Sequence, residues 1–150
     1  MHVVENTLDP SLDEFLARPL FCFLGQTSDA GPRLSPLWFL WEDEQVWLIA
    51  QEADRSYPDR VREFPRSALG VVDFDPATGR VEHVGMRGTA SLEPYDPARA
   101  GRLLTEYLGP DREAWDERFR AVDGDGYGLI RFDPETVVAR DQSFAGSREA

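Results

Sequence analysis

The stretch from Gly31 to Pro65 constrains this chain more than any other, because its first strand is apolar on both faces. Leu34 to Trp41 and Val46 to Gln51 are nearly continuous apolar runs joined by an acidic turn, and Ser56, Arg60 and Arg62 follow on a short predicted helix. Side chains alternate across a strand, so Leu34, Pro36, Trp38 and Leu40 point one way while Ser35, Leu37, Phe39 and Trp41 point the other. A strand with one face in water needs a single apolar face. Here the second face has to be covered by a helix, a partner subunit or a flat bound ligand.

Composition narrows the class. A chain of 150 residues is one domain, 1–150, long enough to bury a real core. Its formal charge of −12 argues against nucleic acid, since phosphate binding is driven by clustered Lys and Arg releasing counterions. The single cysteine, Cys22, lies between Phe21 and Phe23, can form no internal disulfide, and reads as core. The N-terminus lacks the basic start and apolar stretch of a signal peptide, and no apolar segment approaches the ~20 residues of a spanning helix. The expectation is a cytoplasmic protein with no membrane partner.

The pattern predicts a helix with Asp9 as its cap, Pro10 in its first turn and Leu12, Phe15 and Leu16 as its apolar stripe before Pro19. Strands follow at Leu20 to Gly25, Leu34 to Trp41 and Glu44 to Gln51, the last two joined by a tight turn around Asp43. A helix from Tyr57 to Phe64 precedes a hairpin of Ala68 to Asp75 with Arg80 to Leu92, turned by Asp75-Pro76-Ala77-Thr78-Gly79. A second amphipathic helix starts at Asp96-Pro97 and ends at Leu108 before Gly109-Pro110. Tyr127 to Phe132 and Thr136 to Asp141 read as a closing hairpin.

Successive hairpins argue for an antiparallel sheet, because parallel pairs need a crossover each time. Such a sheet in one small domain closes most economically into a barrel, which removes exposed edges. Arg80 to Leu92 would span roughly 40 Å if straight and must bend, with Gly85 and Gly88 as candidate sites. On it Val84, Met86, Ala90 and Leu92 face one side, and His83, Arg87, Thr89 and Ser91 the other.

The order Gly31-Pro32-Arg33-Leu34-Ser35-Pro36-Leu37-Trp38-Phe39, a hairpin, a second strand, then Ser56 and a basic helix closing at Pro65 resembles the pyridoxamine 5'-phosphate oxidase-like family, over about Leu12 to Phe144. The resemblance implies an all-β or α+β fold: an antiparallel six- to seven-stranded split β-barrel, the FMN-binding split barrel, with two to three short helices. It also implies FMN as cofactor, an oxidoreductase acting on a small-molecule substrate, and a homodimer with two flavin sites at the interface, each built from both chains. Many members carry a lysine directly after the serine aligned with Ser56. Here that residue is Tyr57, which leaves Arg60 or Arg62 to supply the cation.

A site for flavin mononucleotide needs cations and hydroxyls for the phosphate, backbone polar groups for the ring edge and a dry flat slot for the ring; the hydride chemistry belongs to the cofactor. Arginine suits phosphate because its planar fork donates two parallel hydrogen bonds, and Ser56 near a helix start adds a hydroxyl and free backbone N–H groups. Ser56, Arg60 and Arg62 are therefore the phosphate candidates, with Arg33 and Arg87 behind them. The resemblance puts the backbone of Leu37 and Trp38, and the strand end at Ala50 and Gln51, along the ring, with Gln142 in reach of a flavin carbonyl. No residue is singled out as catalytic.

Other constellations carry less. With only His2 and His83, a histidine-rich metal site is excluded. Asp123-Gly124-Asp125-Gly126 opens like a calcium loop, but Tyr127 and Pro134 stand where ligands belong, so it reads as a turn. Asp73 and Asp75 read as exposed acids beside a turn. Two alternatives to a flavin oxidoreductase stay open: a non-catalytic dimeric barrel binding flavin, haem or another ring ligand, and a deazaflavin-dependent reductase, whose long acidic cofactor tail would favour more positive charge than this chain carries.

Overall fold

Two residues, Trp38 and Phe39, join the two opposite edges of a single sheet. The computed structural model describes residues 1–52 and 56–146. Its eight strands are β1 (His2–Asn6), β2 (Cys22–Gln26), β3 (Arg33–Leu37), β4 (Leu40–Glu42), β5 (Gln45–Gln51), β6 (Arg66–Asp75), β7 (Arg80–Glu93) and β8 (Tyr127–Asp141). They pair in the order β3-β2-β6-β7-β8-β5-β4, with β1 added parallel to β8. Since β3 and β4 end that order yet are neighbours in the chain, the sheet must curl until its edges meet. They do not pair with each other, which makes the barrel a split one.

This divides the single strand expected from Leu34 to Trp41. β3 pairs with β2, Leu37 opposite Cys22, whereas β4 pairs with β5, Leu40 opposite Trp47. The two residues of the β4–β5 turn, Asp43 and Glu44, both have positive φ (60° and 56°), the geometry that matches strand twist in a two-residue hairpin. The closing hairpin is also corrected: Tyr127 to Asp141 is one strand, paired along its length with β7. The register passes from Arg87 opposite Thr136 to Gly88 opposite Pro134, leaving Glu135 as an extra residue. Pro134-Glu135 is therefore a bulge, where a proline is tolerated. Gly88 is required there, because a Cβ on it would lie 2.0 Å from the Asp133 carbonyl oxygen, while one on Gly85 would meet nothing.

The helices are α1 (Leu12–Leu16), α2 (Tyr57–Glu63), α3 (Pro97–Leu108) and α4 (Glu117–Arg120), with a 3₁₀ turn at Arg112–Ala114. The cap of α1 is Ser11 and not Asp9, its hydroxyl accepting from the Glu14 N–H. α3 begins and ends as its sequence signals, with the Asp96 carboxylate accepting from the Ala98 and Arg99 N–H groups and Gly109 at φ 91° beyond its end. α4, the 3₁₀ turn and β1 lie outside the predicted elements.

Two cores answer the problem of the doubly apolar strand. The barrel interior holds Phe15, Leu24, Phe39, Leu48, Val71, Val84, Ile130 and Phe132, each large side chain worth roughly 1.5–3 kcal/mol of burial. Cys22 lies there fully buried, its thiol pushed up to about 12 by desolvation, so it is inert core. A second core packs Leu40, Trp47 and Leu129 under Leu103, Leu104 and Trp115, with Trp38 at its margin. Part of the second face is thus covered by α3 of the same chain. Phe23, Leu34, Val72 and Phe74 stay exposed, and register places them on one outer face of β3, β2 and β6.

The pair Asp73 and Asp75 is corrected in both members: Asp75 is half-buried, its carboxylate accepting from the Ala77 N–H at 3.0 Å. Asp73 is largely buried in an ionic cluster with Arg18 at 2.8 Å and Arg80 at 3.3 Å, beside the buried Glu82.

Candidate functional site

At one end of the barrel, α2 lays Arg60 against Ser56, one helical turn away, and against two partners remote in sequence, Gln26 and Ser35. Its Nε donates to Gln26 Oε1 at 3.0 Å, one terminal nitrogen to Ser56 Oγ at 2.8 Å and the other to Ser35 Oγ at 3.3 Å. Gln26 is buried, and its amide donates to the Tyr57 carbonyl at 3.1 Å, which fixes it. Ser56 occupies the N-cap position of α2 without capping it. The hydroxyls of Ser35 and Ser56 accept from Arg60 and so keep their own protons to donate. Arg60 uses three of its five N–H donors. Among the described residues the cluster thus retains donors of the kind an anionic group requires.

Beside it lies a cavity of about 480 Å³ whose lining includes Pro36, Leu37, Trp38, Gln51 and Tyr57 on the barrel side and Leu103, Leu104, Arg118 and Phe119 on the helical side. Its volume is that of a small-molecule site and its walls are mostly apolar. Trp38 is stacked between Tyr107 (centroids 4.6 Å, 3°) and Phe119 (5.2 Å, 23°). The Tyr107 hydroxyl accepts from the Phe39 N–H at 3.1 Å and lies 2.7 Å from the Leu20 carbonyl oxygen, tying the split closed; burial raises its pKa. β5 runs beyond β4, and the Tyr57 hydroxyl occupies that open edge, donating to the Ile49 carbonyl at 3.0 Å and accepting from the Gln51 N–H at 3.3 Å.

Of the residues expected at a site, the fold brings Leu37, Trp38 and Gln51 to this cavity and Ser56 and Arg60 to the donor cluster next to it. Ala50 is fully buried in β5 beside them. Arg62 is not part of the cluster, being engaged at the surface by Glu52 at 2.6 Å and Asp59 at 2.7 Å. Arg33 and Arg87 line a separate groove with Arg66 and Ser67 on the outer side of β2 and β6. Gln142 follows β8 at its far end, with its N–H on the Val81 carbonyl, while Tyr127 at the near end lines the cavity. Gln142 does not approach the site within one chain. His83 lies on the outer sheet face with Phe23 and Leu34.

Sequence reasoning missed Gln26, Ser35, Tyr107 and Phe119. The serine is part of the quoted strand, but its inward aim becomes visible only once β3 is known to be an edge. Among the described residues no group of three His, Cys, Asp or Glu could hold a metal ion, and no helix is long and apolar enough to cross a membrane.

The curled, unclosed antiparallel sheet with its edge-joining tryptophan is the pyridoxamine 5'-phosphate oxidase-like split barrel. Solved structures of that fold include a conserved hypothetical protein of Mycobacterium tuberculosis (TM-score 0.69, 20% identity, 98% of each chain covered). Others are an F420 reductase (0.65, 23%, 87% of this chain and 98% of that one) and the haem storage protein HutZ of Vibrio cholerae (0.65, 14%, 95% and 96%). No family model and no curated protein matches the chain.

Proposed function

We propose that this chain is an FMN-binding flavoprotein, a cytoplasmic homodimer that acts as an oxidoreductase on a small molecule. The observation that carries the reading is the donor cluster of Arg60, Ser56 and Ser35, whose two serines directly precede Tyr57 and Pro36 in the lining of a mostly apolar cavity. Bound flavin would supply the hydride chemistry. The chain's part is to hold a phosphate on the cluster and to exclude water with Leu37, Trp38 and the α3 wall. Dimerisation is supported by the outer face that exposes Leu34 at 73%, Phe74 at 57% and Phe23 at 42%, an apolar grouping that a second copy would cover. The likeness to the F420 reductase and other split barrels is compatible with this at the level of fold.

A deazaflavin with an acidic tail is a second reading, favoured by one observation. Arg33 and Arg87, in the groove with Arg66, make no ion pair among the described residues, so local charge there is positive on a chain of net −12. Titrating purified protein with FMN and, separately, with the deazaflavin F420 tests both. Saturable FMN binding supports the first, F420 binding without FMN binding supports the second, and binding of neither removes the oxidoreductase reading.

A further inference from the structure

In the cofactor reading the helical wall of the cavity only excludes water, and its one charged residue has no role. That wall comes from the α3–α4 excursion, where Phe119 stacks on Trp38 and Arg118 places its guanidinium carbon 4.7 Å from the Phe119 ring centroid. Arg118 is the only charged residue among the described residues that line the cavity. Its nearest acid is Asp116, at 3.8 Å, and the carboxylate oxygen concerned already accepts the Arg118 backbone N–H at 3.0 Å as the cap of α4. Among the described residues the Arg118 side chain makes no hydrogen bond, so its planar fork remains available beside the apolar lining of the cavity. A guanidinium stacked on a ring by its face keeps its edge donors for a carboxylate or phosphate.

We propose that this helical wall is the substrate side of the cavity, and that it takes a largely apolar molecule carrying one anionic group bound by Arg118. The inference deepens the cofactor reading, since it assigns the helical wall of the same site. Arg118 is a specificity residue: it selects the anion, while the apolar lining of Leu37, Ile49, Leu103 and Leu104 takes the body of the molecule. A neutral molecule of the same shape fits the cavity but leaves the fork unused.

Calorimetric titration of the full chain, as purified and after saturation with FMN, with naphthalene-2-carboxylate and its neutral isostere naphthalene-2-carboxamide tests this. Wild type should bind the carboxylate about fivefold tighter, the size expected of one exposed ion pair. Arg118→Gln should weaken the carboxylate alone and equalise the two, and Arg118→Lys should keep most of the preference. Equal affinities in wild type, an undiminished preference in Arg118→Gln, or no binding of either probe would overturn the proposal. The cofactor reading is judged separately by FMN uptake: carboxylate preference without uptake sinks that reading and leaves this one, and uptake without preference does the reverse.

Discussion

Leu37 and Leu40 are three residues apart in the chain and stand on opposite edges of the sheet, one paired to Cys22 in β2 and the other to Trp47 in β5. The peptide between them is held by Tyr107, whose hydroxyl touches the Phe39 N–H and the Leu20 carbonyl. Tyr107→Phe leaves those part-buried groups without their partner, so it should cost about 1–3 kcal/mol. Urea denaturation reads this directly, and an unchanged midpoint would show that the split needs no tie.

The bulge at Glu135 sets a second expectation. Gly88→Ala would drive a Cβ into the Asp133 carbonyl, and the shift demanded of two paired strands should destabilise the chain by roughly 3 kcal/mol or more. Gly85→Ala, on the same strand with open space above it, should change stability by no more than about 1 kcal/mol. Thermal melts of the two variants side by side separate them.

Glu106 on α3 has a buried Oε2 without a hydrogen-bond partner among the described residues, and desolvation, helped by the nearby Glu42 charge, raises its pKa to about 7. The folded state therefore holds this proton more tightly than the unfolded chain. The stability it contributes is full below the unfolded value near 4.5 and is lost as pH rises to about 7. At this half-buried position screening leaves about 1 kcal/mol of the effect. Glu106→Gln should accordingly be more stable than wild type at pH 8 and no more stable at pH 4, as measured by denaturant midpoints.

Arg60 is the cation at the donor cluster, so Arg60→Ala should lower FMN affinity by about 1.5–3 kcal/mol, typical of a charge-assisted hydrogen bond. Arg62→Ala, which removes only surface pairs with Glu52 and Asp59, should leave affinity within about 0.5 kcal/mol. Equal losses in both would tell against the cluster as the phosphate site. Flavin absorbance titration provides the measurement.

Leu34 is the most exposed large apolar residue on the outer face. Leu34→Glu places a charge on the surface assigned to the second copy and should shift the chain from dimer to monomer at micromolar concentration. Light scattering across a dilution series decides it; a wild-type chain that is already monomeric removes the dimer.

Legibility followed the range of the determinants. Helix α3 could be read almost to the residue because Asp96, Pro97 and Gly109 act on their own neighbours. The alternation of β7 was likewise legible, its buried Val84, Met86 and Ala90 opposing a polar row. β8 was not, because Asp133-Pro134 carries a local turn signal that pairing with Gly88 overrides. β1 was hidden because its residues are mostly exposed and its position depends on the β8 edge. At the site, Ser56 and Arg60 were found since one helical turn joins them. Gln26 is 34 residues away from Arg60, and only the closing of the barrel could bring it there.

The sandwich of Trp38 between Tyr107 and Phe119 has one more consequence. Of the four indoles, Trp47 lies under Arg99 and bonds the Glu42 carbonyl, Trp115 bonds the Gly109 carbonyl, Trp41 bonds Asp13, and Trp38 alone lines the cavity. Its near-ultraviolet emission is therefore an intrinsic reporter of occupancy. An incoming chromophore that absorbs in that range would dim it by energy transfer, so the protein can announce its own ligand without a label.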